Sequence, residues 1–261
     1  MKESQEMTKT IAIAGKGGTG KTTIAALLIK FLSRKGLVLA VDADPSTNLS
    51  QALGLLLDDN KTVGRIREKM AEDVSKDRLS PTIAKPEYLF SKIIESLVES
   101  KGFDLLSMGR PEGPGCYCAS NEFLRASLDR LVKDYKYDYI VMDCEAGMEH
   151  ISRQTTRDVD VLLIMSDPTM KGVTTAVRMK KLIEEMRSNV GKVGLVVNRV
   201  RGELSPEIEK VIDEYGLQVI ALIPEDADMA NLEMKGRPVT ELPQESPLQL
   251  KVKEIAEGLR L

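Results

Sequence analysis

The sequence predicts an α/β fold, a doubly wound, mainly parallel sheet flanked by helices. Three observations predict it. Short, near-continuous runs of Val, Ile and Leu recur along the 261 residues, as in strands buried on both faces. Longer amphipathic stretches separate them in βαβ order, which right-handed crossovers wind into an open sheet. The first such unit carries a glycine-rich loop between its strand and its helix, Gly15-Lys16-Gly17-Gly18-Thr19-Gly20-Lys21-Thr22.

Thr10 to Ala14 reads as the first strand. Lys21 to Ser33 then reads as a helix with Ile24, Leu27, Leu28 and Phe31 on one face. Gly36 ends it, and Leu37 to Val41 is the next strand. Further strands are expected at Phe103 to Met108, Tyr139 to Met142, Val161 to Met165, Val193 to Val197 and Val219 to Ile223. Helices are expected between them, at Phe123 to Tyr135, Val173 to Arg187 and Pro206 to Tyr215. Residues 58–86 have weaker periodicity and many charges, and are expected as a peripheral helical insertion within a single domain spanning 1–261. The tail, Pro247 to Leu261, places Leu248, Val252, Ile255 and Leu259 on one face and reads as the last helix of the sheet.

Composition narrows the function classes. A formal net charge of −3 supplies no bulk attraction to nucleic acid or anionic lipid, so neither is expected as a partner. No apolar run approaches the ~20 residues that span a bilayer, and the polar start lacks a signal-peptide core; a cytoplasmic protein is expected. Three cysteines, Cys116, Cys118 and Cys144, argue against a disulfide framework. A lone histidine, His150, excludes a His-rich metal site within one chain.

The loop carries the strongest chemistry. A strand, then G-x-x-x-x-G-K-T, then a helix is the full context of a phosphate-binding loop. The glycines let backbone amides approach a phosphate, and the helix aims its N-terminal dipole at the anion. Lys21 is expected to neutralise the β- and γ-phosphates of ATP or ADP, and the Thr22 hydroxyl to hold Mg²⁺. Two further strand ends supply carboxylates, in Asp42-Ala43-Asp44-Pro45-Ser46 and in Asp143-Cys144-Glu145-Ala146-Gly147. Gly147 can offer its N–H to a γ-phosphate. Asn198 closes the strand Val193 to Val197, and its amide can both donate to and accept from an adenine edge. An Asn or Asp at a strand end also forms turns.

Cys116-Tyr117-Cys118 sits in a Gly/Pro loop after the strand Phe103 to Met108. Thiolates are soft ligands for Zn²⁺ and other thiophilic metals, yet one pair is half of a tetrahedral site. A two-fold dimer with this loop on its axis would supply four sulfurs. Two small buried hydrophobes are the plainer reading of the same pair. Cys144, at a buried strand end, reads as packing.

The form Lys16-Gly17-Gly18-Thr19-Gly20-Lys21-Thr22 resembles the deviant Walker A motif of the MinD, ParA and nitrogenase-iron-protein superfamily. The resemblance implies that Lys16 crosses a dimer interface to the partner's nucleotide. It implies that Asp44 orients the attacking water and that Asp143 contacts Mg²⁺ through water. It also implies adenine contacts at Asn198, followed by Arg199, and at the loop containing Pro224 and Glu225. Gly15 to Thr23, Asp42 to Leu49, Gly115 to Asn121 and Asp143 to His150 together resemble the CooC family of nickel-handling ATPases. That resemblance implies a homodimer binding Ni²⁺ (or Zn²⁺ in its place) on Cys116 and Cys118. The client it implies is carbon monoxide dehydrogenase or acetyl-CoA synthase.

Two rival functions share the loop. An iron–sulfur reductase like the nitrogenase iron protein would carry a second cysteine three residues after the Asp143 position, where this chain has Ala146. A MinD- or ParA-type positioning ATPase of the membrane-binding kind would end in a basic amphipathic helix, whereas the tail here carries Glu254 and Glu257 and lacks a dense basic face.

Overall fold

The computed structural model describes residues 8–76, 85–109, 126, 128–144, 158–185 and 189–261. Among the described residues, eight strands form one sheet in the order β3-β4-β2-β5-β1-β6-β7-β8. They are β1 (Lys9–Gly15), β2 (Val38–Asp42), β3 (Val98–Ser100), β4 (Phe103–Ser107), β5 (Tyr139–Asp143), β6 (Asp158–Ser166), β7 (Asn189–Val200) and β8 (Val219–Pro224). Every pairing is parallel except β3 with β4. The expected doubly wound, mainly parallel sheet is therefore what the chain forms.

Alternation along each strand builds two cores. Ile11 and Ile13 of β1, with Val38 and Ala40 of β2, face one layer of helices. That layer contains α1 (Lys21–Leu32) and α2 (Asn48–Leu53). Ala12 and Ala14, with Leu39 and Val41, face the other layer, which contains α3 (Val63–Ser75), α4 (Lys85–Ser96) and α5 (128–135). Past β6, α6 (Met170–Glu185) and α7 (Pro206–Glu214) extend that second layer. The first layer is completed by α8 (Ala227–Met234) and α9 (Pro247–Gly258).

Helix α1 is buried almost all round. Beyond the expected Ile24, Leu27 and Leu28, it also buries Ala25, Ala26, Ile29 and Leu32. The reason is tertiary: α2 and α9 pack on the flanks that a single sheet contact would leave in water. Truncating a leucine here, such as Leu28, removes packing worth about 2–5 kcal/mol. This helix carries the second half of the glycine-rich loop, so the loop is anchored to the most buried helix of the first layer. Residues 58–86 are helical from Val63 to Ser75, and Val63 and Ile66 enter the second core beside Phe90 and Ile93 of α4. Thus α3 turns Val63 and Ile66 into the core and carries Lys69 and Glu72 on its exposed side.

Candidate nucleotide site

The site lies at the C-terminal edge of the sheet, where the chain's winding reverses around β1. From β1 the chain runs outward to β2 and β4, then returns to place β5 and β6 on either side of β1. Ligands of open α/β sheets lie in the crevice at such a reversal.

The glycine-rich loop closes over this edge. Gly15 takes φ 152°, and a side-chain carbon there would meet the Met165 carbonyl oxygen of β6 at 2.3 Å. Only glycine lets the loop leave β1 this close to its neighbour. The Lys16 carbonyl then gathers donors: the Thr19 hydroxyl at 2.8 Å, the Thr19 N–H at 3.4 Å and the Lys21 ammonium at 3.5 Å. Lys21 is 7% exposed, folded back along the loop. Helix α1 starts at Lys21 with no side-chain cap and no acidic residue in its first turn. Its first N–H groups and dipole are therefore left to an anion.

Two buried carboxylates stand beside the loop. Asp42 and Asp143 are register partners on the adjacent strands β2 and β5, so their side chains leave the same face of the sheet. The Thr22 hydroxyl donates to Asp143 Oδ2 at 2.6 Å. Asp143 Oδ1 is buried and has no hydrogen-bond partner among the described residues. A hydroxyl and an orphaned carboxylate oxygen are hard donors that fit Mg²⁺, and Thr22 and Asp143 would hold it. A Mg²⁺ held there would supply positive charge to offset the negative charge of a bound phosphate chain. Burial raises the Asp143 pKa to about 6, opposed by the Thr22 hydroxyl and Lys21. Burial first, and then the Asp143 charge, raises Asp42 to about 8. Asp42 accepts the Leu49 N–H at 2.9 Å and the Asp44 N–H at 3.2 Å. It thereby holds both ends of the loop between β2 and α2. Asp42 has the parity of Val38 and Ala40, which puts it on their face of the sheet, and the register with β5 sets it beside Asp143.

Asp44 lies outside the row. Its Oδ1 accepts the Ser46 N–H at 2.8 Å and also the Ser46 hydroxyl, which in turn accepts from Asn48 at 2.8 Å. The carboxylate is thus turned onto its own exposed loop. Lys16 points outward, half-exposed, with its ammonium 3.6 Å from Asp167 at the end of β6. A surface pair of this kind is worth about 0–1 kcal/mol, so little holds Lys16 in place.

A cleft of about 460 Å³ opens beside Gly20 and Thr23, lined by Asn198, Arg199, Pro224, Glu225 and Met229 among others. The residues that the resemblance marked for adenine, Asn198, Arg199, Pro224 and Glu225, therefore line one cleft. Asn198 is already engaged, however: its Nδ2 donates to the Thr19 carbonyl at 3.0 Å, and its Oδ1 accepts the Arg199 N–H at 2.9 Å. One amide hydrogen and one lone pair remain for a base. Arg201 and Glu225 pair at 2.8 Å across the rim. Cys144 is buried, and burial, then Asp143, pushes its thiol up to about 12, in keeping with a packing role. Cys116, Cys118, Gly147 and His150 lie outside the described residues.

Fold and site together define a P-loop nucleotide-binding protein. The chain belongs to the CobQ/CobB/MinD/ParA nucleotide-binding domain family, whose sequence model matches residues 10–239. The ATP-binding protein MJ0685 of Methanocaldococcus jannaschii is 46% identical over 254 residues, covering 95% of this chain and 97% of that one. The carbon monoxide dehydrogenase accessory protein CooC of Rhodospirillum rubrum is 33% identical over 190 residues, covering 67% of this chain and 69% of CooC. The septum site-determining protein MinD of Pyrococcus horikoshii, solved with Mg-ADP, superposes with a TM-score of 0.68 at 23% identity over 97% of this chain and 96% of MinD. That last likeness is one of fold.

Proposed function

We propose that this chain is a Mg²⁺-dependent ATP hydrolase that closes as a homodimer around nucleotide. In this reading it carries Ni²⁺, or Zn²⁺ in its place, as cargo for carbon monoxide dehydrogenase or acetyl-CoA synthase. The observation that carries the hydrolase part is the Thr22–Asp143–Lys21 cluster at an uncapped helix N-terminus. It offers a cation, a hydroxyl and an orphaned carboxylate oxygen where a triphosphate would lie. Lys16 supports the dimer: it is half-exposed and weakly held, so it can reach a partner's nucleotide. Asp44 orients the attacking water once its loop turns it from Ser46 toward the phosphates. Gly147 offers an N–H to the γ-phosphate.

Similarity to CooC supports the metal role. Cys116 and Cys118 of two subunits would give four thiolates for one ion. Driving closure from 1:99 to 99:1 requires differential nucleotide binding of about 5.5 kcal/mol. Charge-assisted hydrogen bonds contribute about 1.5–3 kcal/mol each, so two at the top of that range or four at the bottom reach it.

The test is a titration of Ni²⁺ and Zn²⁺ into metal-stripped protein and its Cys116→Ala/Cys118→Ala variant, with and without ATP. The expected result is one ion per two wild-type chains and none in the variant. An unchanged stoichiometry in the variant would overturn the shared thiolate site.

A further inference from the structure

The wall of the base cleft is fastened to the phosphate loop, and the manner of fastening is unusual. Strand β7 bulges there: Val197 pairs with Leu222 and Val200 with Pro224, so Asn198 and Arg199 together face one residue of β8. Arg199 takes φ 61°, a left-handed conformation that a non-glycine residue keeps only when its surroundings require it. From the bulge both side chains reach the loop. Asn198 Nδ2 lies 3.0 Å from the Thr19 carbonyl oxygen, and Arg199 Nη1 lies 3.2 Å from the Gly18 carbonyl oxygen. A side-chain carbon at Gly20 would stand 2.4 Å from Asn198 Nδ2, so glycine at 20 is what lets this contact close.

In a planar trans peptide the carbonyl oxygen and the following N–H point in opposite directions. Holding the Gly18 oxygen toward Arg199 therefore turns the Thr19 N–H away from it. Holding the Thr19 oxygen toward Asn198 turns the Gly20 N–H away in the same manner. The Thr19 N–H lies 3.4 Å from the Lys16 carbonyl oxygen, inside the loop, which leaves the Gly20 N–H to meet a phosphate.

We propose that Asn198 and Arg199 are positioning residues of the phosphate loop, struts from the base wall: Asn198 aims the Gly20 amide at the triphosphate, and Arg199 holds the peptide before it, whose N–H closes the loop on the Lys16 carbonyl. Affinity for the phosphates then depends on them even when no base is present. Asn198 retains one donor and one acceptor for the base, so it serves both ends of the nucleotide. The inference rests on the nucleotide-binding reading of this site.

Calorimetric binding of two ligands separates a strut from a base contact: MgATP, and magnesium tripolyphosphate, which has no base. Asn198→Ala is expected to weaken tripolyphosphate about five-fold, as for one lost hydrogen bond, and MgATP by at least as much, because its base contact is lost too. Arg199→Ala, at an exposed position, is expected to weaken both by about three-fold, with partial recovery in Arg199→Lys. Loss of MgATP affinity with tripolyphosphate unchanged in both alanine variants would overturn the struts while leaving the nucleotide site intact. Wild-type protein that took up neither ligand would instead overturn the nucleotide reading itself.

Discussion

The loop after β1 and the loop after β2 meet the same crevice, yet they are prepared to different degrees. The first is buried and pinned. Thr19 is 2% exposed, Lys21 is folded in, and Asn198 and Arg199 tie its carbonyls from outside. The second is fixed only at its ends, by Asp42, and its middle closes on itself through Asp44, Ser46 and Asn48. The residues that grip phosphate are assembled by the fold. The residue assigned to cleavage in the proposed function is left on a loop that would have to re-form to bring it to the phosphates. In the proposed function such a division would let binding precede hydrolysis, as an ATP-driven clamp requires.

The largest effect that breaks this contrast is expected on the prepared side. Lys21→Ala removes the buried ammonium at the helix N-terminus, and its loss is expected to weaken MgATP binding by about 100-fold in calorimetry, the scale of a charge-assisted bond. A change of less than three-fold would mean that the loop is not the grip.

A smaller effect sharpens the contrast through pH. Burial raises Asp42 from an ordinary 3.8 to about 8 and Asp143 to about 6. Between the ordinary value and these raised values the folded chain holds more protons than the unfolded one, so stability falls as pH rises. The contribution of these groups is full below about pH 4 and is lost progressively through 6 and then 8. Thermal melts of nucleotide-free protein are expected to drop across that window, and Asp42→Asn is expected to flatten the segment between pH 6 and 8. Parallel slopes for the two proteins would show that Asp42 does not hold the proton.

Much of this contrast was legible in the sequence, for physical reasons. The loop of residues 15–22 is readable because its task demands glycine where a side chain would collide, at Gly15 and Gly20, and a lysine at one spacing. Strand ends are readable because parallel strands are apolar until they stop, which placed Asp143 and Asn198 at the edge. The sequence was silent where packing decides. Strand β3 is three residues long and antiparallel, too short for a period to show. Helix α2, six residues, starts after Thr47 in a left-handed conformation rather than at a capping side chain, and the burial of α1 on all sides depends on neighbours distant in the chain. Asp42 was passed over in favour of Asp44 because only the register with β5 sets it beside Asp143. The bonds from Asn198 and Arg199 to the loop span about 180 residues of sequence, a distance that no local pattern records.

The most direct test of the central claim is the mass of Asp44→Ala in solution with MgATP and with MgADP. The substitution leaves the grip intact and removes the residue assigned to water, so hydrolysis is expected to fall by at least about 100-fold. ATP should then hold the closed state. The account predicts a doubled mass with ATP and a single-chain mass with ADP. A single-chain mass with both nucleotides, while ATP remains bound, would contradict it.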